Sequence, residues 1–275
     1  MSLFTTRAFA ISCVEFVGAC GIALSSIEWL MNARHLRDEG LLSWTISQLR
    51  HRTLAHGALS HLLNPLFRYP GILWLHSIRL GAAVLLVSGI LAGPVRALFT
   101  LVVALTTVAI SLRSPFGLDG SDQMAGFIFC TLALARAFPG PVAEIAFLWV
   151  VALQSSLAYF TAGFAKLVSP IWRTGVAIPG ISSTRMYGSR SASRFLHGRP
   201  WLSVGLAWSV ILTECLFPLV LVVPAPVALS LLAAGMLFHV TSGLVMGLNS
   251  FIWSFAATYP AIWWCNTEFH SQHLL

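Results

Sequence analysis

The chain is laid out as a succession of apolar runs, many about as long as a bilayer is thick, joined by short arginine-bearing connections. A helix of about 20 apolar residues has no face to give to water, so it must be surrounded by lipid or by helices of its own kind. Eight such runs can be read. They extend from about Ala8 to Met31, Ile72 to Gly93, Val95 to Leu112, from after Asp122 to near Phe138, and from after Pro141 to Lys166. The last three run from Leu202 to just before Pro224, from Val227 to Gly247 and from Phe251 to Trp264. Pro94, the Pro139-Gly-Pro141 triplet and the pair Pro224 and Pro226 punctuate them, where a missing N–H breaks the helical ladder. The expected architecture is all-α: a polytopic integral membrane helix bundle of about seven or eight transmembrane helices, in one domain over residues 1–275.

Composition points the same way. Charged residues make up 9% of the chain, where a water-wetted domain needs roughly 25%. The net charge of +7 comes from arginines in the connections between runs, a pattern that matches anionic lipid headgroups and excludes nucleic acid as a partner. Five scattered cysteines form no CxxC pair, and nothing suggests a disulfide framework. The first run is too long and lacks a small-x-small cleavage site, so it reads as a retained span and not a signal peptide.

Two longer segments do not read as spans. Residues 32–70 mix Arg34, Arg37, Arg50, Arg52 and Arg68 with His35, His51, His56 and His61 and with spaced leucines, as amphipathic helices lying on a membrane surface would. Residues 168–200 carry Arg173, Arg185, Arg190, Arg194 and Arg199 among many Gly and Ser, as an interfacial loop or lid. With eight spans, both segments and the Arg113 to Asp122 turn fall on one face, leaving Arg7, Arg96 and Arg136 on the other. The positive-inside rule places the arginine-rich face in the cytoplasm.

Charge within a span costs several kcal/mol, so each such residue calls for a partner or a role. Lys166 is the most unusual: it is the only lysine, against fifteen arginines, and it ends the fifth run. An arginine cannot release its proton at workable pH, whereas a lysine taken out of water can, which is what a general base requires. The competing reading is a lysine snorkelling from a helix end. Asp119 and Asp122 lie in the turn before the fourth run, either capping that helix, with Ser121 or Asp122 at its start, or binding polar groups of a substrate. Glu214 and His239 sit mid-run and are expected to face each other, the bundle interior or a ligand. Arg79 is expected to neutralise Glu15 or Glu28, and Trp172 and Arg173 to form a pocket rim. No P-loop, GxGxxG turn, HExxH or cysteine cluster occurs, so nothing supports ATP-driven transport or zincin proteolysis, and the two carboxylates Asp119 and Asp122 alone are weak evidence for a metal site.

The run Tyr159-Phe-Thr-Ala-Gly-Phe-Ala-Lys-Leu-Val-Ser-Pro-Ile-Trp-Arg-Thr-Gly175 resembles the signature of HTTM-domain proteins, the family of the membrane domain of vitamin K-dependent gamma-glutamyl carboxylase and its bacterial relatives. Gly117-Leu-Asp-Gly-Ser-Asp122, Thr213-Glu-Cys-Leu-Phe-Pro218, Phe238-His239, Glu28-Trp29 and Asp38-Glu-Gly-Leu-Leu-Ser-Trp44 agree in order. The resemblance implies a membrane enzyme in which Lys166 deprotonates a reduced quinone of the vitamin K type. Asp119, Asp122, Glu214 and His239 would line its cavity. It also implies a bacterial inner (plasma) membrane location and, through members resembling the sporulation-delaying protein B type, a secreted peptide or a small lipid-soluble ligand as partner. The chain departs from the carboxylase pattern where Ala165 replaces the first of two adjacent lysines. The family lysine also works on the face opposite the one the arginine distribution gives Lys166, so glutamate carboxylation is not carried over. Two other classes stay open: a carrier or proton-coupled transporter, and a non-catalytic membrane partner in peptide maturation or export.

Overall fold

A computed structural model describes residues 6–40, 42–50, 58–114 and 119–273. Every regular element among them is helical. Five helices are long and apolar enough to cross a membrane: Arg7–Met31, Gly93–Arg113, Pro141–Val168, Pro200–Leu221 and Ala225–Met246. The chain divides into two compact units, one spanning Glu15–Ala143 and the other formed by the residues up to Val14 and from Glu144 onward.

In the Glu15–Ala143 unit the elements are α1 (Arg7–Met31, shared with the other unit), α2 (Trp44–Ser47), α3 (Ala58–Phe67), α4 (Gly71–Val87), α5 (Gly93–Arg113) and α6 (Gly120–Ala137). The second and fourth expected spans are α4 and α6. At 17 residues α4 is short for a crossing, and the polar first turn of α6 lowers its hydropathy. The cap of α6 is Asp119 and not the expected Ser121 or Asp122. Its carboxylate accepts the Ser121 and Asp122 amides at 3.1 and 3.0 Å, satisfying donors that a helix start leaves free.

The described parts of residues 32–70 form short helices packed round a buried core of Leu36, Trp44 and Phe67. Trp44 and Phe67 are fully buried edge to face at 4.7 Å, and Trp44 donates its indole N–H to Asn64 at 2.7 Å. Arg113 ties this core to the end of α5. Its guanidinium donates to the carbonyls of Phe67 (2.8 Å), Leu42 (2.8 Å) and Leu36 (3.3 Å), satisfying backbone acceptors that irregular chain would otherwise bury unpaired. His51, Arg52 and His56 lie outside the described residues.

Glu15, fully buried in α1, is neutralised by Arg96 of α5 and Arg136 of α6, not by Arg79. Arg96 Nε reaches it at 2.7 Å, Arg136 Nη2 at 2.9 Å, and the Thr100 hydroxyl at 3.0 Å. Arg79 instead donates to the Ser26 hydroxyl at 2.9 Å. Ser26 lies eleven residues beyond Glu15, about 16 Å along a helix, so the two arginine sites are at different depths.

The second unit continues with α7 (Pro141–Val168), α8 (Pro170–Arg173), α9 (Ala177–Ser182), α10 (Arg190–Leu196), α11 (Pro200–Leu216), α12 (Ala225–Met246), α13 (Asn249–Ala256) and α14 (Tyr259–His273). Pro218 has no N–H, and α11 tightens into a 3-10 turn over Phe217–Leu221. Asn266 of α14 donates to the carbonyls of Val220 and Val223, both at 2.9 Å, which closes that helix end. The eighth expected run, Phe251 to Trp264, is two helices. Pro260 disfavours helical geometry at the residue before it and suits the first turn of a new helix.

Candidate functional site

One stripe of α7 carries the polar chemistry of the second unit. Ser155, Tyr159, Gly163 and Lys166 recur at spacings of four, four and three, the helical period, so they share a face. Ser155 meets the Thr258 hydroxyl at 3.0 Å. Two turns beyond Tyr159, the Lys166 ammonium donates to both carboxylate oxygens of Glu214 on α11, at 2.9 and 2.6 Å. It also lies 5.2 Å from the centre of the Trp172 ring, a cation–π contact on its other side. Glu214 is almost wholly buried and its partner largely so, so the pair is a desolvated ion pair and not a surface bridge.

The pair can close because α7 has no side chain at Gly163. A Cβ there would stand 2.7 Å from the Cys215 amide nitrogen and 2.8 Å from Glu214 Cβ. Close approach of α7 to α11 therefore depends on a glycine one turn before the lysine, the small-residue device of tightly packed apolar helices.

His239 of α12, expected to face Glu214, the bundle interior or a ligand, is buried in the interior against Tyr159, its Nε2 lying 2.7 Å from the tyrosine hydroxyl, which in turn lies 3.0 Å from the Tyr259 hydroxyl. Phe217 stacks on Tyr159 at 3.7 Å and Phe255 on His239 at 4.4 Å, walling this row with aromatic faces. Gly235, one turn before His239, leaves room for it: a Cβ there would fall 2.5 Å from the Tyr259 hydroxyl. Among the described residues the buried His239 Nδ1 has no hydrogen-bond partner. Lys166 and Tyr159 are seven residues apart on α7, about 10 Å along the axis, so Glu214 and His239 are engaged at separate levels.

An apolar cavity of about 380 Å³ opens beside the ion pair, walled by Trp172, Ile181, Leu206, Leu237, Phe238 and Val245, with Glu214 as the charged group in its lining. Lys166 stands behind Glu214 and is not part of that lining. Of the expected rim residues, Trp172 lines the cavity, while the exposed Arg173 contributes its backbone carbonyl, which accepts the Trp208 indole N–H at 3.2 Å. Asp119 and Asp122 belong to the other unit, where Asp119 is a helix cap. No site role was expected for Tyr159, Phe217 or Tyr259. The signal was there for two of them, since Tyr159 lies two turns before Lys166 and Phe217 one turn after Glu214.

Among the described residues no three of His, Cys, Asp and Glu converge as a metal site would require. No family model matches the chain, and no curated protein or solved structure matches it.

Proposed function

We propose that this chain is a polytopic integral membrane protein of the inner-membrane type, with seven or eight crossings as the apolar runs suggest, related to the HTTM-domain family. Its function is proton transfer on a lipid-soluble, quinol-type molecule held in the cavity of the second unit, in the service of modifying a peptide or small substrate. The observation that carries this reading is the placement of Glu214, ion-paired to Lys166, in the lining of a largely apolar cavity. Such a cavity is of a size that takes a lipid-soluble ring, and Glu214 in its lining gives the ligand's polar end somewhere to go.

The pairing redistributes the roles that the sequence alone assigned. Lys166 donates to both oxygens of Glu214, as an ammonium does, and the carboxylate is the group that faces the cavity. A ligand hydroxyl arriving there meets Glu214 first. Its O–H bond breaks, the proton passes to the carboxylate, and the oxyanion left behind is balanced by the Lys166 ammonium. Lys166 is then the electrostatic partner of the base and not the base itself.

A carrier reading draws on a different observation, the hydrogen-bonded row Tyr259–Tyr159–His239, which could relay protons through the same unit.

The sole lysine makes the test direct. Purified protein in lipid nanodiscs is labelled with an amine-reactive probe, with Lys166→Arg as the blank for the terminal amine. A soluble quinol is then added, and a redox-inert alkane of similar size serves as control. Protection by the quinol and not by the alkane, lost in Glu214→Gln, supports the reading. Labelling unchanged at saturating quinol refutes it, and solute flux in proteoliposomes abolished by Tyr159→Phe favours the carrier.

A further inference from the structure

Residues 168–200 contain five arginines and no acidic residue. Between α9 and α10 three of them, Arg185, Arg190 and Arg194, line a polar cup of about 490 Å³ together with the hydroxyl-bearing Ser182, Ser183 and Thr184. None of the three takes part in an ion pair among the described residues. Three guanidinium groups without a carboxylate are the donor set that recognises a phosphate group, because an arginine fork matches two phosphate oxygens at once, while the Ser183 and Thr184 hydroxyls donate to the carbonyls of Gly180 and Ile181 at 2.8 Å each.

The surroundings of the cup identify the source of that phosphate. Apolar side chains alternate with the arginines and are turned out: Met186 and Phe195 are 78% and 57% exposed, and Val176 and Ile171 are bare nearby in the chain. Ser182 lines both the cup and the apolar cavity. A soluble phosphate needs no apolar rim, whereas a lipid headgroup brings its chains with it. We propose that Arg185, Arg190 and Arg194 form a built site for the phosphate headgroup of an anionic membrane lipid, its acyl chains lying against the exposed apolar residues. The proposal does not depend on proton transfer at Glu214.

Native mass spectrometry of the full chain in detergent tests it, with phosphatidylglycerol as probe, phosphatidylcholine as the zwitterionic comparison and inorganic phosphate as competitor. Each arginine near an anionic lipid surface contributes enough that Arg190→Gln/Arg194→Gln weakens phosphatidylglycerol binding about 10-fold or more. Arg185→Gln, lying outside both short helices, weakens it in the same direction and guards against a folding defect in α10. Arg34→Gln/Arg68→Gln removes the same charge from exposed positions in residues 32–70 and leaves binding within about 2-fold. Equal weakening by the two arginine pairs would reduce the cup to diffuse surface charge and overturn the site. Displacement of the lipid by inorganic phosphate would make it a soluble-anion site, and equal binding of phosphatidylcholine would remove the anion selectivity on which it rests.

Discussion

Lys166 on α7 donates to both carboxylate oxygens of Glu214 on α11, at 2.9 and 2.6 Å, across a helix contact that a glycine at position 163 makes close enough. Removing one partner of a buried ion pair strands the other, which costs about 3–5 kcal/mol, whereas replacing both with apolar groups of similar volume is near neutral. Glu214→Gln and Lys166→Met are therefore each expected to destabilise the protein strongly, and Lys166→Met/Glu214→Leu to recover most of that loss. Unfolding midpoints of the four proteins in one detergent check this. Additive losses in the double variant would mean that the pair is not energetically coupled.

Gly163→Ala is expected to push α7 from α11, because its Cβ would meet the Cys215 backbone nitrogen at 2.7 Å and Glu214 Cβ at 2.8 Å, neither of which can swing away as a side-chain tip can. Overpacking of this kind costs about 1–3 kcal/mol. The separation also loosens Lys166 from Glu214, so labelling of the single amine should accelerate. A variant of wild-type stability and labelling rate would show that the contact relaxes freely.

Tyr159→Phe leaves both His239 Nε2 and the Tyr259 hydroxyl without their shared partner in a buried site. The unpaired groups cost about 1–3 kcal/mol. A double-mutant cycle with His239→Leu, which removes one of the stranded groups, should show positive coupling. Its absence would mean that the hydroxyl and the imidazole do not interact in the folded protein.

In the first unit, Glu15→Gln is expected to be the most disruptive single change, because it leaves Arg96 and Arg136 facing a neutral side chain. Arg113→Lys should also destabilise, since an ammonium cannot reproduce the guanidinium's fixed fork toward the Phe67 and Leu42 carbonyls. Limited proteolysis within residues 32–70 reads the second effect directly: cleavage rises in Arg113→Lys if the clamp holds that segment, and stays at the wild-type rate if it does not.

The apolar runs determined the all-helical build, because a segment without polar side chains must satisfy its backbone internally. They also placed the limits of α1, α5, α7 and α12 within a few residues, and the isolation of Lys166 marked it as unusual before any partner was visible. The sequence further required that Glu15, Glu214 and His239 each find something polar, since burial of such groups alone is costly. Which partner each found was decided only by tertiary structure. Helical periodicity gives a residue's face relative to its own helix, but not which neighbour that face meets or at what depth. Glu214 and His239 were thus left between each other, the interior and a ligand, and the fold sets one against Lys166 and the other against Tyr159, about 10 Å apart along α7. Of the two glutamates considered for Arg79, Glu15 is held by Arg96 and Arg136. The break at Pro260 and the buried Trp44 core followed from the same limit: an apolar run records how much surface must leave water, and packing alone decides where it goes.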